Sequence, residues 1–122
     1  MIEENDLTEA IIGASFVVSN TLGAGFLEKV YENALRHELV KKRMRVEQQK
    51  PIQVVYDNVV VGDYVADMVV ENHILVELKA VKNLDEVHTA QVLNYLKASQ
   101  LRTGLLLNFG SPRVEIKRLR NG

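Results

Sequence analysis

The stretch from Tyr64 to Lys79, YVADMVVENHILVELK, limits the possible folds more than any other part of the chain. Two apolar runs flank a short polar break at Glu71 to His73, the pattern of two strands joined by a tight antiparallel hairpin. Side chains on a strand repeat with period two, so Glu77 and Lys79 share one face while Val76 and Leu78 share the other. With residues 71 to 73 as the loop, Val70 pairs with Ile74, and Asp67 falls directly opposite Glu77 on the same face. Like charges directly opposite destabilise a sheet, and carboxylates in low dielectric are costly unless paired or bound to metal. A hard divalent cation removes both costs, because Mg2+ accepts one or two protein carboxylates and keeps several waters. Lys79 beside them could orient or deprotonate a water, or meet developing charge on a phosphate. The same pattern also fits a plain salt bridge on a solvated face, Glu77 with Lys79 supported by Asp67. A slip of one residue in register would move Asp67 off that face.

The chain before this hairpin reads as helical. In residues 6–20, Asp6 and Glu9 have capping-box spacing, and Leu7, Ala10, Ile11, Ala14, Val17 and Val18 recur at helical intervals. TLGAG, residues 21–25, breaks that helix. It has no GxxxxGK[ST] and no strand before it, so it is not a phosphate loop; Gly25 could hold a backbone angle that a side chain would forbid. A second helix is expected from Phe26 to about Lys42, burying Leu27, Val30, Tyr31, Ala34, Leu35 and Leu39 and turning Lys29, Glu32, Arg36 and Lys41 to water. Glu28 lies beside that stripe, with Tyr31 three residues on and close to the same side. As ordinary helix residues, Glu28 suits the N-terminal dipole and Tyr31 is a core-edge tyrosine. Lys41, Lys42, Arg43 and Arg45 form the densest basic run, which suits either phosphate contacts or a solvated helix terminus.

From Val46 the periodicity changes. Ile52, Val54 and Tyr56 alternate with Gln53, Val55 and Asp57, and Pro51 marks an edge or an irregular start to the strand. Asp57 and Asn58 predict a turn, Val59 to Val70 a long strand interrupted by Gly62, and Ile74 to Ala80 its hairpin partner, giving an antiparallel meander. Residues 83–99 then read as a helix opened by Asn83 and Glu86, with Gln91 and Tyr95 on one side. His88 has no zinc-spaced partner, so zinc is not expected. Gly104 to Phe109, GLLLNF, reads as a continuous buried strand without alternation, as an interior parallel strand beyond a crossover helix would be. Val114 to Leu119 is the final strand, and Arg113, Lys117, Arg118 and Arg120 make a second basic cluster. The order is ααβββαββ, an α+β sandwich with a mixed sheet.

Composition narrows the function classes. A chain of 122 residues suits one domain, residues 1–122, with a core but no separate substrate domain. A formal net charge of −1 gives no global attraction to nucleic acid, so any such binding needs a local patch. The absence of cysteine excludes disulfides, thiolate metal sites and cysteine nucleophiles. MIEENDL lacks a basic region before an apolar stretch and no run spans a membrane, so a soluble cytoplasmic protein is the expectation.

Gly25-Phe-Leu-Glu28-Lys-Val-Tyr31 matches the pattern that names the GxxExxY protein family. Tyr64-Val-Ala-Asp67 followed by Glu77-Leu-Lys79 resembles the Asp and Glu-x-Lys core of the PD-(D/E)xK nuclease superfamily, in which that family sits. Gln91 and Tyr95 look like the QxxxY element of its exonuclease-type members. The proline of the superfamily's name is absent, Ala66 standing before Asp67. The resemblance implies a restriction-endonuclease-like core: a central mixed β-sheet flanked by helices. It implies Asp67 and Glu77 as ligands of Mg2+ or Mn2+, Glu28 completing the metal site, and Lys79 positioning or activating the attacking water. Tyr31, Gln91 and Tyr95 would help place the substrate, and Lys41, Lys42, Arg43, Arg45, Arg113, Lys117 and Arg118 are the candidate phosphate contacts. Metal-dependent cleavage of nucleic acid, with DNA the expected substrate, is the implied activity. A non-catalytic module binding nucleic acid or protein on the same fold, and a small dimeric or regulatory subunit, are the alternatives.

Overall fold

In a computed structural model of the protein, residues 3–122 are described. Helix α1 spans Glu4–Leu22 and α2 spans Glu28–Lys41. Strands β1 (Val46–Tyr56), β2 (Val59–Val70) and β3 (Ile74–Lys79) follow, then α3 (Glu86–Ser99), β4 (Thr103–Asn108) and β5 (Glu115–Arg120). The strands form one sheet in chain order, with β3 parallel to β4 and all other pairs antiparallel. This is the expected α+β order, ααβββαββ, with a mixed sheet between helices. The crossover from β3 to β4 needs a helix because parallel neighbours cannot be joined by a tight turn.

Alternation along β3 builds two cores. Ile74, Val76 and Leu78 pack with Leu7, Ile11 and Ala14 of α1 and with Tyr31, Leu35 and Leu39 of α2. Leu75 packs on the opposite face with Val92, Tyr95 and Leu96 of α3. Both faces are covered, so β3 and β4 are apolar with few breaks. Each fully buried Leu or Ile contributes about 1.5–3 kcal/mol relative to exposure, which leaves room for some buried polar groups.

Several local details differ from the sequence reading. Helix α1 starts at Glu4, before Asp6, with no side-chain cap. Its start is held instead by Glu4, which accepts from Thr103 Oγ1 at 2.9 Å and from Arg118 at 3.1 Å. Helix α3 starts two residues after Leu84, capped by Asp85 and His88 in place of Asn83 and Glu86. Helix α2 starts at Glu28, so Leu27 precedes it and is exposed, as is Val30. Glu32, expected in water, is only 4 % exposed. β1 passes over it, and Gln48 and Gln49 donate to its carboxylate, a contact that helix periodicity cannot reveal.

Candidate functional site

The site is built where β2 stops pairing. The β2–β3 ladder runs from Val70↔Ile74 to Met68↔Val76, and the next step sets Asp67 against Glu77. There the backbone rungs give way to side chains: Asp67 N–H donates to Glu77 Oε1 at 3.0 Å, and Leu78 N–H donates to Asp67 Oδ2 at 2.9 Å. The β1 side is interrupted at the same level. Gln48 pairs with Met68 and Lys50 with Ala66, whereas Gln49, between them, has φ 53°. The faces turn over at this point, because Met68 packs with α1 and α2 but Ala66 packs with α3. Strict alternation would put both on one face. Asp67 is the residue at which the regular sheet ends and a two-stranded arm begins.

Two carboxylates are thereby held together in poor solvent. Glu77 is 3 % exposed, and its carboxyl is pushed up to about 9, chiefly by burial and then by the charge of Asp67. A hydrogen bond between the two side chains favours the protonated form further, while the Asp67 N–H and the charge of Lys79 oppose it. Glu28, exposed at the first turn of α2, has its carboxyl raised by partial burial and then by Asp67, with Lys79 and His88 acting against the shift. The charges of Asp67, Lys79, Glu32 and His88 thus all reach Glu28. Among the described residues, no group of three or more His, Asp or Glu side chains is set to hold a metal ion. Asp67 and Glu77 form a close pair, with Glu28 at its margin.

The donor chemistry suits a hard divalent cation. Two carboxylates, one driven to hold a proton by burial and then by its neighbour, would both be stabilised by a double positive charge. Asp67 and Glu77 retain oxygens beyond the two that accept the N–H bonds.

Neighbouring elements fix the remaining candidates. Gly25 has φ 115° with open space around its α-carbon, so the backbone angle, and not crowding, calls for glycine. Tyr31 is fully buried, its ring stacked 4.8 Å from Phe109. Its hydroxyl donates to the Gly23 carbonyl at 2.6 Å and accepts from Phe26 N–H at 3.1 Å. Tyr31 thus reaches the site only through the loop that carries the chain into Glu28. On α3, Gln91 Nε2 donates to the Tyr95 hydroxyl at 3.2 Å, and the Tyr95 ring lies 5.5 Å from Tyr64. Burial first, and then the charge of Glu77, raise the Tyr95 hydroxyl above the ordinary tyrosine range. Gln91, Tyr95 and the acids therefore share the α3 face of the sheet.

The basic residues divide. Lys41 ends α2 and Lys42, Arg43 and Arg45 follow it, about 20 Å from Glu28 at 1.5 Å per residue. Lys41 pairs with Glu38, and the Arg45 N–H donates to Glu71 in the β2–β3 turn, at the end of the sheet away from Lys79. Arg118 is held by Glu4 and Asn5 at the start of α1. Lys117 stands level with Glu77, through Leu106, and is exposed. Arg113, also exposed, precedes β5 next to the Lys79 end.

Sequence reading missed Glu32, His88, Asn108 and Gly110. Asn108 is fully buried and accepts from the Val81 and Gly110 N–H groups, each at 3.0 Å, while donating to Val81 O and Glu115. It pins the chain that leaves Lys79. A polar residue ending an apolar strand, followed by glycine, was the available signal.

No curated protein and no solved structure matches the chain significantly. The family model for the PD-(D/E)XK nuclease superfamily matches residues 5–119, from the first turns of α1 to the end of β5. With a mixed sheet flanked by helices and an Asp–Glu pair beside the end of β3, the chain belongs to the PD-(D/E)XK nuclease superfamily.

Proposed function

We propose that residues 1–122 act as one unit, a Mg2+- or Mn2+-dependent nuclease that hydrolyses phosphodiester bonds, with DNA as substrate. The observation that carries this reading is the Asp67–Glu77 pair, in which Glu77 accepts the Asp67 N–H and Asp67 accepts the Leu78 N–H. Asp67 and Glu77 would hold the cation and Glu28 would complete its carboxylate set. When bound, the cation lowers the pKa of a water and stabilises charge on the phosphate. Lys79, on the same face as Glu77 and one residue beyond Leu78, orients the attacking water and faces the developing negative charge. Gln91 and Tyr95 place the phosphate, and Tyr31 with Gly25 shapes the loop that presents Glu28. Within the superfamily, the Gly25 to Tyr31 motif supports membership of the GxxExxY group, because its glycine and tyrosine both act on that loop. Among the described residues no helix is long and apolar enough to cross a membrane, and we take the cytoplasm as the site of action.

The test is cleavage of linear, nicked, branched and single-stranded DNA, and of RNA, with and without divalent cations. Asp67→Asn keeps an acceptor for the Leu78 N–H while removing the charge. It is expected to slow cleavage by about a hundredfold or more, the scale of losing a charge-stabilising group. An inactive native chain across the whole panel, or an equally active variant, rejects the nuclease.

One observation favours a second reading. Val55, Tyr56, Val59, Val60, Val61 and Val65 on the arm are all exposed, as on a surface that binds a protein or a second copy. A non-catalytic binding module would associate through this arm with little dependence on salt, whereas phosphate contacts weaken steeply as salt rises.

A further inference from the structure

A groove of about 860 Å³ lies between the arm and α3. It falls within the roughly 300–1,000 Å³ typical of small-molecule sites. Its polar lining consists chiefly of amides and aromatic hydroxyls. Gln53 comes from β1, Tyr64 from β2, and Gln91, Asn94, Tyr95 and Lys97 from α3. Valine and alanine side chains fill the spaces between them.

Three features define the occupant. Lys97 is the one cation among the lining residues, so the groove is no track for a phosphate backbone. Amides both donate and accept, which suits the mixed edge of a nucleobase better than an aliphatic or anionic ligand. Tyr64 is half exposed beside the tilted Tyr95 ring, leaving an aromatic surface on which a flat ring can stack. The groove lies on the same face of the sheet as Glu77, because its wall residue Tyr95 packs with Leu75, two residues before Glu77 on β3. A base seated on Tyr64 therefore brings the phosphate of its own strand towards Asp67 and Glu77. In a duplex the hydrogen-bonding edge is taken by the partner base and both faces are stacked, so the base must be unpaired.

We propose that this groove binds an unpaired nucleobase next to the phosphate to be cleaved, so that the enzyme selects single-stranded or frayed polynucleotide over duplex. The selectivity for cleavage rests on the nuclease reading; binding of the base does not.

The test is anisotropy in EDTA with fluorescent strands of about twelve nucleotides, within the site sizes of single-strand binders. The probes are a single strand, an abasic strand of equal length and charge, and a blunt duplex, each as DNA and, apart from the abasic probe, as RNA. The native chain should bind the single strand about tenfold more tightly than the abasic strand, the effect of about one lost stack. Tyr64→Leu and Asn94→Ala should each remove most of that preference and leave abasic binding unchanged, with thermal melting to verify folding. Equal affinity for the abasic and natural strands, or full preference retained in both folded variants, overturns the proposal. The DNA and RNA arms identify which sugar the groove accepts. Addition of Mg2+ or Mn2+ separates the two readings. Base-dependent binding without cleavage of any probe rejects the nuclease and keeps the groove. Equal cleavage of duplex and single strand, unaffected by Tyr64→Leu, keeps the nuclease and rejects the groove.

Discussion

Glu77 shows what one residue contributes when its neighbours set its chemistry. Its carboxyl holds a proton up to about 9 in the folded chain, against an ordinary 4.5. Below 4.5 both folded and unfolded chains are protonated there, and between 4.5 and about 9 only the folded chain is. The folded state binds more protons in that window, so this contribution to stability is lost as pH rises through it. In EDTA, the melting temperature of the native chain should fall from pH 5 to pH 9, and that of Glu77→Gln should fall less. Parallel profiles by scanning calorimetry would contradict this account. Much of the residue-scale picture was legible in advance. The period of two and a three-residue turn were enough to pair Val70 with Ile74 and so to bring Asp67 and Glu77 together, where side-chain bonds replace the ladder. Glu32 was not legible, because its burial depends on two glutamines from a strand that helix periodicity does not include.

At the scale of elements, turn chemistry and apolar runs predicted every strand and helix, with ends displaced by a few residues. The displaced ends are those whose caps depend on partners distant in sequence or on a choice between neighbouring polar residues, as at Glu4 and Asp85. The reversal of faces at Asp67 was illegible, because alternation is the rule it breaks. The loop after β3 was illegible for a different reason: its partner lies across β4. Asn108 and Gly110 clamp it, and a β-carbon at Gly110 would sit 2.0 Å from the Val81 carbonyl oxygen. No side-chain rotation relieves a clash with backbone, so Gly110→Ala must shift the loop. It is expected to cost about 1–3 kcal/mol, the usual range for overpacking, and to slow cleavage by displacing Lys79. Chemical denaturation measures the first effect; unchanged stability would show that the loop is slack.

For the whole molecule, charge separates by region, with the 41–45 cluster at one end of α2 and the acids at the other. That separation explains how a chain of net charge −1 can keep a local basic patch. The fold class was legible because a helix between two apolar strands implies a parallel crossover. The closure of the molecule was not, because it depends on contacts between its first and last elements. Thr103 and Arg118 hold Glu4 at one end of α1, and the Val114 N–H donates to Ser19 at 3.1 Å near the other. These bonds join residues 95 to 114 positions apart. For a chain emerging from the ribosome this sets an order of events. α1 is made first, yet the groups that tie its two ends are Thr103, Val114 and Arg118, so those ends stay unfastened until β5 has left the exit tunnel. A stalled nascent chain ending before Val114 should be cleaved readily within α1 by a protease, and one carrying β5 well clear of the tunnel should resist. Equal resistance in both would mean that the first helix docks without the last strand.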